Sequence, residues 1–146
     1  MNQYLSLIHE SDSALEYLIS YFEKVDDPVE IVFFGDHQPS LSSSFYPYLN
    51  GKGLGGLTLS ELENLYTVPF SIWTNYDSGK ESVELTSLNY LSTLALERAG
   101  IALPAYNQFL ADMMEEIPAV NSRLFIFPIG SGDTVALHPS TKNILN

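Results

Sequence analysis

The six residues Val29-Glu30-Ile31-Val32-Phe33-Phe34 constrain this chain more than any other stretch. They are β-branched or aromatic, apolar on both faces apart from Glu30, and too few to make a helix. Asp26-Asp27-Pro28 precedes them and Gly35 follows, so both ends are punctuated. A run of this kind predicts a central strand of a mainly parallel sheet covered on both sides. Upstream, Leu5, Ile8, Leu15, Leu18, Ile19 and Phe22 recur at three- and four-residue spacing. That spacing predicts a helix over 3–24 with one apolar stripe, interrupted by Ser11 and Asp12. Pro28 ends it, because proline disfavours helical geometry in the residue before it. Helix, tight turn and buried strand in that order indicate an α/β class, a small sheet flanked by helices.

Beyond the strand, residues 38–60 are rich in Ser, Gly and Pro, with Phe45, Tyr46, Tyr48 and Leu49 among them. A connection this long in a compact domain is functional or mobile. A short helix opens near Ser60, which is the expected cap. A second strand is expected over 68–73, with Pro69 tolerated near its start. Leu88, Leu91, Leu94, Ala95 and Leu96 predict a helix over 86–99, closed by Gly100 in the left-handed region. The span 107–117 is amphipathic, with Phe109, Leu110, Met113, Met114 and Ile117 on its packed side and Pro118 ending it. The Met pair sits at helical spacing with these apolar residues, which makes it core. A C-terminal β-hairpin is expected from 124–127 and 134–137, turning at Gly130-Ser131-Gly132-Asp133.

Charge excludes one class of partner. Eighteen acidic residues against six Lys and Arg give a formal net charge of -12. Such a surface repels phosphate backbones, and no basic run offsets it, so no nucleic acid is expected as a partner. The absence of cysteine removes disulfides, thiolate metal sites and cysteine nucleophiles together. No apolar run approaches the roughly 20 residues of a membrane helix.

The turn Gly35-Asp36-His37 carries the chemistry. In open α/β sheets ligands gather at the carboxyl ends of strands, where loops form a crevice. A carboxylate followed at once by an imidazole is a compact pair of metal ligands there. The same tripeptide equally suits a turn capped by Asp36 with His37 on the surface. Two donors do not complete a catalytic site, so further ligands must come from elsewhere. His9, near Glu10 and Asp12, lacks the second histidine of a helical zinc signature and is expected to be structural or superficial. Gly51, Gly53 and Gly56 spell G-x-G-x-x-G, but inside a polar loop rather than between strand and helix, which argues against a nucleotide. Ser40, Ser42, Ser43 and Ser44 lie in no nucleophile elbow, and His138 near the chain end is expected on the surface.

Four stretches in a fixed order carry a family resemblance. They are Tyr4-Leu-Ser-Leu-Ile-His-Glu-Ser-Asp12, Ile31-Val-Phe-Phe-Gly-Asp-His-Gln-Pro39, Val68-Pro-Phe-Ser-Ile-Trp-Thr-Asn-Tyr-Asp77 and Ser87-Leu-Asn-Tyr-Leu-Ser-Thr-Leu-Ala-Leu-Glu-Arg-Ala-Gly-Ile101. Together they resemble the second half of the catalytic domain of lipoteichoic-acid-synthase-like phosphoglycerol transferases, in the sulfatase/alkaline phosphatase superfamily. The resemblance covers residues 1 to about 120 and leaves the hairpin, 121–146, unplaced. It implies a partial alkaline-phosphatase-like layered fold. Asp36 and His37 become ligands of a divalent metal (Mn, Mg or Zn), and the nucleophile is expected upstream, outside this chain. The implied parent works at the extracytoplasmic face of the bacterial membrane on a lipid phosphoglycerol donor, and a sulfatase or phosphodiesterase is the close alternative. The chain alone is then an inactive part, whose partner is the missing N-terminal half or, through the same exposed face, a second copy. Outside this superfamily the competing reading is a non-catalytic α/β interaction module that binds through loop 38–60.

Overall fold

The computed structural model describes residues 2–39, 41–120, 124–129 and 132–137. Helix α1 runs Asn2–Phe22, and strand β1, Glu30–Phe34, follows it. The long connection holds a short helix α2, Tyr46–Asn50, a 3-10 turn at Leu54–Gly56, and helix α3, Leu59–Asn64. Strand β2 spans Phe70–Thr74. A 3-10 turn at Leu88–Tyr90 leads into α4, Leu91–Arg98, and α5 covers Ala105–Glu116. Three strands close the order: β3, Ala119–Val120, β4, Leu124–Ile129, and β5, Gly132–Leu137.

The α/β class holds. The pairing differs from the sequence expectation in direction, because both described sheets are antiparallel. Strand β1 pairs β2 with Glu30 opposite Thr74 and Phe34 opposite Phe70, and no parallel ladder is found among the described residues. Apolar periodicity reports which faces are apolar; direction depends on which segment lies alongside, information that six residues do not contain. The strand is also less covered than expected, with Phe33 43% and Phe34 47% exposed. On α1 only the C-terminal half packs, through half-buried Leu15, Ile19 and Phe22, while Tyr4, Leu5, Leu7 and Ile8 lie open. The expected hairpin is present as the antiparallel β4–β5 ladder, with β3 added on the β4 side. Its Gly130 and Ser131, like Ser40 and His138, lie outside the described residues.

The core sits where the Leu88–Tyr90 turn, α4, α5 and β3 meet. Tyr90, Leu91, Thr93, Leu110 and Ala119 are buried there. Its polar groups are satisfied, as burial requires. Tyr90 Oη donates to the Ile117 carbonyl at 2.9 Å. Ser87 Oγ donates to the Val120 carbonyl at 2.7 Å and accepts from the Val120 amide at 2.6 Å. Asn107 Nδ2 donates to Thr93 Oγ1 at 3.1 Å. The helix expected over 86–99 therefore begins as a 3-10 turn, since Ser87 is held to β3. Gly100 adopts φ +68, the left-handed cap the sequence predicts. Met113 and Met114 are half-buried, but Phe109 is 56% exposed and does not join the packed side.

Helix α3 starts two residues earlier than a Ser60 cap would place it and is capped by Thr58. Glu61 N donates to Thr58 Oγ1 at 3.3 Å, and Thr58 N donates to Glu61 Oε2 at 2.7 Å, a reciprocal capping box. Lys52 Nζ lies 2.7 Å from the same Glu61 oxygen. These hydrogen bonds, that to Lys52 first, pull the Glu61 carboxyl from its ordinary 4.5 down to about 2. A depressed carboxylate stabilises the fold above its unfolded pKa, and the contribution fades as pH falls through the folded value. Thr58→Ala should cost about 1 kcal/mol at neutral pH. In urea titrations the difference from the natural chain should narrow between about pH 4.5 and 2. A cost unchanged across that window would contradict the role given to Glu61.

Candidate metal-binding turn

The site grows out of the end of β1. Gly35 N donates to the Pro69 carbonyl at 3.0 Å, carrying the ladder one residue past Phe34. A Cβ on Gly35 would meet Val68 Cβ at 3.0 Å. The glycine is favoured by that close approach, not by an unusual φ. Gly35→Ala should therefore cost about 1–3 kcal/mol as overpacking against Val68, just ahead of β2. Val68→Gly in the same chain, which removes the Cβ at 3.0 Å and the Cγ1 at 3.3 Å, should recover part of it, measured as a double-mutant coupling by thermal denaturation.

Past Gly35 the chain leaves the sheet and turns. Asp36 Oδ1 accepts the His37 amide at 2.9 Å. The other carboxylate oxygen, Oδ2, faces His37 Nε2 at 3.4 Å, and the two side chains are 80% and 74% exposed. His37 Nδ1 lies 2.9 Å from the Gln38 carbonyl. A carbonyl only accepts, so Nδ1 is the donor in that contact, while Nε2 faces the Asp36 carboxylate. The two alternatives left open by the sequence are thus compatible: one oxygen of Asp36 makes the turn and the other remains a donor. Gln38 Nε2 donates to the Thr67 carbonyl, closing the long connection at its base.

The pair suits a divalent ion. Metal–oxygen and metal–nitrogen bonds near 2.0–2.2 Å in a tetrahedral arrangement hold neighbouring donors about 3.3–3.5 Å apart. The 3.4 Å between Oδ2 and Nε2 matches that spacing. The imidazole is also oriented as metal-bound histidines are, with its second nitrogen on a backbone carbonyl. No cluster of three or more such ligands occurs among the described residues. His9, Glu10 and Asp12 are exposed along α1 and come to neither Asp36 nor His37 in any described contact.

Asn75 was not singled out by its sequence, yet it fastens the strand that carries the turn. Its Nδ2 donates to the carbonyls of Phe22, Val25 and Asp27 at 3.1, 2.9 and 2.9 Å. Its Oδ1 accepts the Val29 amide at 2.8 Å, and its own amide donates to the Val29 carbonyl at 3.2 Å. One side chain satisfies the end of α1 and the entry to β1. The available signal was an amide residue just past the end of a strand, after Trp73-Thr74. Its partners lie about 50 residues away, which is why the sequence hid it. A cleft of about 560 Å³ between β2 and α4 is lined by Ile72, Leu94, Arg98 and Met114 and excludes Asp36 and His37. Glu30, at the start of β1, has its carboxyl pushed above the ordinary value by burial, an effect partly offset by the Arg98 guanidinium.

Comparison with known proteins places these observations. A putative cyclic beta-1,2-glucan modification protein of Rhizobium meliloti (strain 1021) is 25% identical over 126 residues, covering 84% of this chain and 20% of that protein. The capsular polysaccharide biosynthesis protein RkpI of the same organism is 47% identical over 45 residues, 31% of this chain and 8% of that protein. The chain thus spans a fifth or less of the length of these relatives. No solved structure matches it significantly. Residues 1–101 match the Sulfatase family, a span that includes α1, β1, the Asp36-His37 turn and α4. The chain belongs to the sulfatase family.

Proposed function

We propose that this chain is the C-terminal, metal-bearing portion of a phosphoglycerol transferase that acts on an envelope glycan at the extracytoplasmic face of a bacterial membrane. The observation that carries the proposal is the Asp36 Oδ2–His37 Nε2 pair, exposed at a strand's carboxyl end with its donors 3.4 Å apart. Family membership supports metal-assisted transfer at phosphorus or sulfur, and the two relatives' names supply the glycan. In this reading Asp36 and His37 hold a divalent cation. Bound there, the cation lowers the nucleophile's pKa and offsets charge on the transferred group. Gln38 holds the His37 proton at Nδ1, and Gly35 with Val68 sets where the turn leaves the sheet. The nucleophile and remaining ligands come from the rest of the protein. The exposed apolar residues of α1 and β1 mark where that rest packs, and a second copy of the chain is the other candidate for that face. The family description also favours a hydrolase acting on sulfate or phosphate esters at the same pair.

The test is made in the host cell, on the whole protein. Asp36→Ala and His37→Ala should each remove phosphoglycerol substituents from the envelope glycan, read by phosphorus NMR at unchanged protein level. Substituents left intact in both variants would sink the proposal. Accumulating sulfate esters in their place would transfer it to the hydrolase reading.

A further inference from the structure

We propose that residues 41–57 form an acceptor subsite for a neutral, hydroxyl-rich glycan, with the Tyr48 ring as its stacking platform. This rests on the glycan-acceptor reading above. The segment leaves the chain four residues after His37. The connection that contains it is closed at its base by the Gln38 bond to Thr67, so whatever binds it sits on an outgrowth of the metal-binding turn. Tyr48 is 87% exposed, the most open large apolar side chain among the described residues. An exposed ring normally has rotamer freedom, but this one stands on an ordered base. Its amide donates to the Phe45 carbonyl at 3.0 Å. Gly51, at φ +70, closes the helix with its amide on the Pro47 carbonyl at 2.9 Å. The half-buried Phe45 ring lies beside Tyr48 with centroids 6.5 Å apart and planes at 41°. A tyrosine on a backbone fixed in this way offers a large amphipathic face with only two side-chain torsions to order on binding.

Charge selects the ligand class. The chain has 18 acidic residues, yet none falls within 38–60, and Lys52 is the one cation there. Lys52 is occupied, 2.7 Å from Glu61. The segment therefore presents aromatic, hydroxyl and backbone groups with no free charge. An anionic ligand would find no unpaired cation, and a cationic one no carboxylate. A sugar ring needs an aromatic face and neutral hydrogen-bonding partners, which are the groups present.

The experiment titrates the isotope-labelled chain with a neutral β-linked gluco-oligosaccharide, with glycerol phosphate alone as the control. Amide shifts confined to 41–57 are expected with the oligosaccharide and none there with the control. Tyr48→Ala should weaken binding roughly tenfold or more, the loss of a central aromatic anchor, without changing the thermal midpoint, and Tyr48→Trp should retain binding. Shifts elsewhere, no shifts at the highest soluble concentration, or full binding by Tyr48→Ala would overturn the subsite. If Asp36→Ala abolishes phosphoglycerol substitution while Tyr48→Ala binds the oligosaccharide normally, the subsite fails and the activity stands. If both metal-turn variants keep the substituents while the oligosaccharide still shifts 41–57, the activity fails and the subsite stands.

Discussion

Asn75→Ala is expected to lower the stability of the chain by about 2–4 kcal/mol, the largest loss from any single side chain outside the core. Four hydrogen bonds converge on this partly buried amide. Each contributes only about 0.5–1.5 kcal/mol net, but truncation leaves the part-buried Val25 carbonyl and Val29 amide without this partner, while the Phe22 carbonyl keeps the Val25 amide and the Asp27 carbonyl is open to water. Asn75→Asp separates hydrogen bonding from volume. The carboxylate has nearly the same shape and can still accept from Val29, but it cannot donate, and it sets negative charge against three carbonyl oxygens. It should be at least as damaging as alanine at pH 7 and recover in part under acid, when protonation restores one donor. Urea midpoints and amide exchange at Val29 would read both effects. Asn75→Asp behaving like the natural chain at pH 7 would show that the clasp is incidental.

The second large effect concerns the metal. In the whole protein, Asp36→Ala and His37→Ala should each reduce affinity for Mn2+ or Zn2+ by more than the roughly 10–100-fold that follows loss of an outer-shell partner. The double variant should be little worse in activity than either single one, because ligands of one ion act as a unit. The chain by itself, offering two donors, should bind the ion weakly and turn over no phosphate diester. Turnover by the isolated chain at rates matching the whole protein would show that the site is complete here. Calorimetric titration with the metal, beside a diester assay, distinguishes these outcomes. Gly35→Ala should fall between the natural chain and the ligand variants, since it displaces the turn without removing a donor.

Much of the fold was legible in local pattern. The stripe of α1, the apolar run of β1, the left-handed glycine after α4 and the β4–β5 hairpin all rest on residues close together in the chain. Short-range sterics and periodicity determine such features, and both are written locally. The candidate site was half legible for the same reason: Gly35-Asp36-His37 is contiguous, so a strand end followed by two ligand types can be read directly. The exceptions follow a common pattern. Thr58 displaced Ser60 as a cap although each has a glutamate three residues on, Glu61 and Glu63; the box that forms is the one whose glutamate also pairs with Lys52. Phe109 lies outside the core because α4 and the Leu88–Tyr90 turn cover a different face of α5.

What the sequence alone determined was the α/β class, the order of the longer elements, and the contiguous Gly35-Asp36-His37 turn at the end of β1. Only the tertiary structure decided the direction of β1 against β2, the contact of Gly35 with Val68, the Asn75 clasp and the facing of Oδ2 and Nε2. Each of the first three joins segments tens of residues apart, and no local pattern encodes which distant segment will arrive. The facing of the two donors depends on a side-chain torsion held by the Gln38 carbonyl, which residue identity leaves free.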